Sequence, residues 1–136
     1  MSPSNVRLLV IDPSDADRTR CRSALERGTD WRMHWRMETS LNAGLRALDE
    51  DMFDCVMVNL KLPDGDGLSV LPAAQKRIVP PAVVVLTGEL DETSGVVAIQ
   101  AGAQDFVRKH QITQNLPRAV RYALERKRLE SKLRQA

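Results

Sequence analysis

Five short apolar runs, separated by stretches of helical periodicity, recur along this chain and leave it few folds to choose from. The first, Val6 to Ile11, is β-branched at both ends and suits a strand buried on both faces. Asp12-Pro13-Ser14-Asp15 is turn chemistry; Ser14 can cap a helix to about Arg27, with Gly28 as its stop. From Trp31 to Glu38 the residues alternate. Trp31, Met33, Trp35 and Met37 share one face and Arg32, His34, Arg36 and Glu38 the other, the pattern of an edge strand with one wet side. Ser40 caps a second helix carrying Leu41, Leu45 and Leu48.

A buried strand over Cys55–Val58 ends at Asn59, and Lys61 to Gly67 reads as a loop. Leu68 to Arg77 is expected to be a helix that Pro72 shortens or bends. Ala82 to Leu86 is the most β-prone run and ends at Thr87. Asp91 can cap a helix through Ala101, stopped at Gly102, and Asp105 to Arg108 is a short fifth strand. The last helix is expected to start near Asn115 or Leu116, with Pro117 in its first turn. Strands and helices in strict alternation imply βαβ units, a parallel sheet and helices on both faces. In such sheets the ligand crevice lies beyond the carboxyl ends of the strands. That rule nominates Asp12, Asn59, Thr87 and Lys109.

Several chemistries fall away. There is no G-x-G-x-x-G, no G-x-x-x-x-G-K-[ST] and no G-x-S-x-G, so dinucleotide, P-loop and hydrolase-elbow sites are not expected. No run of about 18 apolar residues occurs, so no membrane span is expected. Cys21 and Cys55 fall in apolar stretches without metal-ligand spacing, which reads as buried thiols in a reducing, cytoplasmic setting. Asp64 and Asp66 read as turn residues, and Asp54 lies at the wrong end of its strand.

The four strand-end residues, with the loop Leu62-Pro63-Asp64-Gly65-Asp66-Gly67 and the turn Ala101-Gly102-Ala103-Gln104-Asp105-Phe106, resemble the receiver domain of bacterial two-component response regulators over about residues 5–128. The resemblance implies a CheY-like, flavodoxin-like α/β fold: a doubly wound five-stranded parallel sheet of order 2-1-3-4-5. In typical receivers an acidic pair after strand 1 holds Mg²⁺, an aspartate ending strand 3 accepts a phosphoryl group, and a Thr or Ser and a Lys bind its oxygens. On that pattern Thr87 and Lys109 match as phosphate-binding positions, and Asp12 matches the first acid. Phe106 matches an aromatic switch position, although an apolar ring in a strand is equally plain core.

Two positions depart from it. Pro13 stands where the second acid is expected and Asn59 where the phosphoacceptor is expected. An amide is no useful nucleophile, and losing two carboxylates removes most of the charge that would hold a hard cation, so no Mg²⁺ or other cofactor is expected. Lys109 is left to donate to the Asn59 carbonyl or to Asp12. The resulting expectation is a degenerate pseudo-receiver: a non-enzymatic, phosphorylation-independent module for protein interaction or dimerisation. Alternatives are a phosphoacceptor switch on a non-standard residue, and the N-terminal regulatory domain of a nucleotide cyclase or histidine kinase. Asn59 could also be an introduced substitution, against which Pro13 argues.

The C-terminal segment is the second informative region. Residues 1–107 carry 11 Lys/Arg and 16 Asp/Glu, whereas residues 108–136 carry 9 and 2. Glu125 and Glu130 interrupt the basic run and Tyr122 is its one aromatic residue, so a solvated helix face is favoured over nucleic-acid binding. Tyr122, Arg126, Leu129, Leu133 and Ala136 fall at heptad spacing. The expected division is therefore a receiver-like domain over 1–123 and a helical extension over 124–136. That extension would lead to a downstream output domain, with Tyr122, Leu129 and Leu133 as the seam of a weak homodimer.

Overall fold

In the computed structural model, residues 5–88 and 92–135 are described. Strands β1 (Asn5–Ile11), β2 (Arg32–Glu38), β3 (Cys55–Asn59), β6 (Ala82–Thr87) and β7 (Asp105–Arg108) form one parallel sheet of order β2-β1-β3-β6-β7. Counting only these five in chain order, this is the expected 2-1-3-4-5 arrangement. Two further strands, β4 (Lys61–Leu62) and β5 (Gly65–Asp66), pair as a small antiparallel hairpin inside the expected loop. The helices are α1 (Asp15–Gly28), α2 (Leu41–Glu50), α3 (Val70–Gln75), α4 (Glu92–Gln100) and α5 (Ile112–Gln135). No helix among the described residues is long and apolar enough to cross a membrane.

Period-2 alternation divides the core between the two faces of the sheet. Val6, Leu8 and Val10, with Cys55, Met57, Val84 and Leu86, pack against Cys21 and Leu25 of α1 and Leu116 and Val120 of α5. The intervening residues Leu9, Ile11, Val56, Val58, Val83 and Val85 pack under Leu48 of α2, Leu71 of α3 and Ala98 of α4. Both cysteines are buried and free. Burial, and secondarily the charges of Asp12 and Asp17, push the Cys21 thiol up to about 12. On β2, Met33, Trp35 and Met37 lean on the first core while His34 is exposed, as the alternation implies. Arg36 on its outer face is anchored to Glu38, Glu50 and Asp51, which hold its guanidinium above the usual arginine range despite some burial.

Ser14 and Ser40 cap α1 and α2 through the amides of Asp17 and Ala43. The expected Asp91 cap lies outside the described residues. Two helices differ from expectation. The segment after the hairpin opens with a 3-10 turn, Gly67–Ser69, before α3, so Pro72 falls in the first turn, where its missing N–H costs nothing. Helix α5 begins at Ile112, earlier than expected, which leaves Pro117 inside it. Ile112 and Leu116 are fully buried, and their packing outweighs the local proline signal. Gly102 stops α4 as expected, with φ of 113°.

Candidate functional site

Sheet register brings the four nominated residues to one end. Ile11 is opposite Val58, Asn59 opposite Leu86, and Thr87 opposite Arg108. Asp12, Asn59, Thr87 and Lys109 therefore all stand at the carboxyl ends of adjacent strands. Asp12 is fully buried, and Asn59 and Thr87 are buried. Pro13, next to Asp12, is exposed, and its side chain carries no oxygen.

Asp12 is held from three sides. Its Oδ1 accepts the Ser14 N–H at 2.9 Å, and Arg18 Nη1 donates to its backbone oxygen at 2.6 Å. Its Oδ2 lies 2.8 Å from Lys109 Nζ. That contact is held by charge rather than by an aligned hydrogen bond, since Oδ2 has no partner of good geometry. Of the two partners the sequence offered Lys109, the ammonium pairs with Asp12.

Lys109 has a second anionic partner that sequence reasoning missed: Asp17 Oδ2, at 2.7 Å. Asp17 lies in the first turn of α1, three residues after the cap Ser14. Ser14 and Asp17 have the spacing of a capping box, but the Ser14 N–H goes to Asp12 Oδ1, and Asp17 takes Lys109 instead, a contact that spacing does not signal. Burial opposes the charge on Lys109, but the carboxylates of Asp12 and Asp17 beside it hold its pKa above the usual lysine value. Burial likewise opposes the charge on Asp17; Lys109 and then Arg20 overcome it and hold the carboxyl below its ordinary 3.8.

Asn59 donates through Nδ2 to the Lys61 oxygen at 2.6 Å. Its backbone is crossed closely by the hairpin. Gly67 N donates to Leu60 O at 2.8 Å, and a Cβ at Gly67 would stand 2.1 Å from Asn59 O, so only glycine fits. Asp66 caps the following turn through Leu68 N at 2.9 Å. Asp64 does more than turn the chain: its two oxygens take the amides of Leu41 at 2.7 Å and Asn42 at 2.9 Å, which ties the hairpin to the start of α2. Phe106 is half-buried at the sheet edge, against Gly95 of α4 and 5.6 Å from the Arg108 guanidinium. Tyr122, Leu129 and Leu133 are exposed along α5, which runs unbroken across positions 123 and 124. Ala136, the last seam residue, lies outside the described residues.

A divalent cation needs several oxygen donors, preferably anionic. Here both Asp12 oxygens face an amide or an ammonium, the Asp17 oxygens face Lys109 and Arg20, and Pro13 brings no carboxylate. Among the described residues no group of three or more His, Cys, Asp or Glu converges on a point. The residues present do not fit Mg²⁺.

The sequence profile of the response regulator receiver domain matches residues 8–121. The KDP operon transcriptional regulatory protein KdpE of Escherichia coli is 32% identical over 119 residues, which are 88% of this chain and 51% of that protein. The photosynthetic apparatus regulatory protein RegA of Rhodobacter capsulatus is 29% identical over 106 residues, 78% of this chain and 56% of that protein. This chain thus spans about half the length of the regulators it matches. A solved receiver domain from Clostridium thermocellum superposes with a TM-score of 0.77 at 28% identity, covering 91% of this chain and 98% of that one.

Proposed function

The chain belongs to the response regulator receiver domain family of two-component systems, and from that premise we propose that it signals through protein contacts rather than through an aspartyl phosphate. One observation carries the reading: where the family pattern expects a nucleophilic carboxylate, Asn59 presents an amide bonded to Lys61 O. The lysine expected to meet a phosphoryl oxygen already has two carboxylates within 2.8 Å. Such a site rests near neutrality without metal, and has neither a nucleophile for phosphoryl transfer nor a cation to offset its charge.

On this reading the module is non-enzymatic and cytoplasmic, takes no Mg²⁺ and binds no nucleic acid itself. Residues 1–123 form the receiver-like body. Residues 124–136 transmit its state, as an extension of α5, to an output domain or a second copy. The exposed line of Tyr122, Leu129 and Leu133 supports a weak homodimer. The name of the matched transcriptional regulatory protein KdpE favours a transcriptional output over a cyclase or kinase.

Intact-protein mass spectrometry after treatment with acetyl phosphate and Mg²⁺ tests the proposal. No added phosphate is expected. An acyl phosphate on any aspartate would overturn it in favour of a switch on a non-standard residue.

A further inference from the structure

Asp17 is not at a strand end, yet its carboxylate stands marginally closer to Lys109 Nζ, at 2.7 Å, than that of Asp12 at 2.8 Å. Its other oxygen takes Arg20 Nη1 at 3.1 Å, and Arg20 Nη2 donates to the Lys109 backbone oxygen. Asp17, Arg20 and Lys109 thus close a ring of contacts between the first turn of α1 and the end of β7, across 89 and 92 positions of sequence. The Lys109 and Asp17 side chains are 18% and 17% exposed, so solvent screens their attraction less than it would a surface pair.

An acid in the first turn of a helix is ordinarily explained by the positive end of the helix dipole. That explanation suffices for Asp15, whose side chain is 93% exposed and pairs with Arg18 within the helix. It does not account for Asp17, which is turned inward to a lysine from another element. Around Lys109 stand the carboxylates of Asp12 and Asp17 and the guanidinium of Arg20, while Arg18, bonded to the Asp12 backbone oxygen, has Asp15 as its own counter-charge. A phosphate approaching the ammonium would meet the Asp17 carboxylate already in its place.

We propose that Asp17 is a resident counter-anion for Lys109: it fills the position that an external phosphate-type anion would take and fixes α1 to the strand-end site in one arrangement. The proposal rests on the phosphorylation-independent reading and supplies it with a device. Asp17 here is a positioning residue, acting through Lys109.

The test titrates inorganic phosphate into the wild-type chain and the Asp17→Asn and Asp17→Glu variants, followed by ¹H–¹⁵N spectroscopy. Removing one anion should give Asp17→Asn saturable shifts at the amides of Thr87 and Lys109, with phosphate bound at least about tenfold tighter than by wild type. Asp17→Glu keeps the charge and should behave as wild type, which a merely structural role for the residue would not predict. Equal binding by wild type and Asp17→Asn, or none by either, would overturn the proposal. Should Asp17→Asn not fold, the wild type still decides: the Lys109 ammonium protons should give a protected ¹⁵N-edited signal, and rapid exchange of those protons overturns the proposal. An acyl phosphate on the wild-type chain would sink the phosphorylation-independent reading and leave the phosphate titration to judge Asp17 separately.

Discussion

A Cβ atom placed on Gly28 would stand 2.6 Å from Cγ of Pro117. The last residue of α1 and a proline inside α5 are thus in direct backbone-to-ring contact. Arg121, one turn further along α5, adds a 3.3 Å bond from Nη2 to the Gly28 oxygen. Gly28 is a glycine because of this approach rather than for a left-handed turn, since among the described residues the only positive φ is at Gly102.

Gly28→Ala should therefore cost about 1–3 kcal/mol through overpacking. Thermal denaturation should show Tm lowered by several degrees. The same substitution in a Pro117→Ala background should cost less, because the ring it strikes is gone. Equal costs in the two backgrounds would show that the helices do not meet at this point.

Asp64 clamps the start of α2, and its removal should loosen the hairpin and that helix together. The amides of Asn42 and Leu41 hold its carboxyl below the ordinary aspartate value of 3.8. A depressed pKa in the folded state means that the stabilisation is complete above 3.8 and is lost as pH falls through the folded value. Asp64→Asn should lower Tm at pH 7, and the difference should shrink as the pH falls below 3.8 and through the folded value. A Tm difference that persists unchanged at low pH would assign the effect to packing instead of charge.

Restoring a carboxylate at the end of β3 should not restore switching. In Asn59→Asp, Pro13 still leaves the site one acid short, and Lys109 remains paired with Asp12 and Asp17. Thermal shift with beryllofluoride and Mg²⁺ should stay small. A stabilisation as large as that of an ordinary receiver would show that the metal site tolerates Pro13.

The α5 seam predicts self-association. Leu129 is 50% exposed and Leu133 77%, and burying each fully would recover at most roughly 1.5–3 kcal/mol. Ordering the helix ends opposes this, so the expected dimer is weak. Parallel pairing sets two basic tails side by side, and salt should strengthen association by screening them. Leu129→Ser with Leu133→Ser should give a folded monomer by sedimentation; an unchanged dimer would move the interface to another face.

Sheet class, strand positions and the set of strand-end residues were legible in the sequence because each rests on local rules. Short β-branched runs such as Val83-Val84-Val85 favour a strand through their own side chains, and Ser14 and Ser40 cap helices through amides only three residues away. The order of the strands followed from the resemblance in the loop and turn motifs, and the sheet has that order. Only the tertiary structure decided the partners. Local pattern placed Pro117 in a first turn; burial of Ile112 and Leu116 starts α5 before it, and the proline ring meets Gly28. Turn chemistry explained Asp64 until α2 was seen to start against it. Asp17 could be read as a helix-start acid, yet its pairing with Lys109 depends on how α1 packs beside β7. Short-range preferences act over a few residues of chain, whereas a charge finds its partner through space, at a distance that packing sets and sequence separation does not reveal.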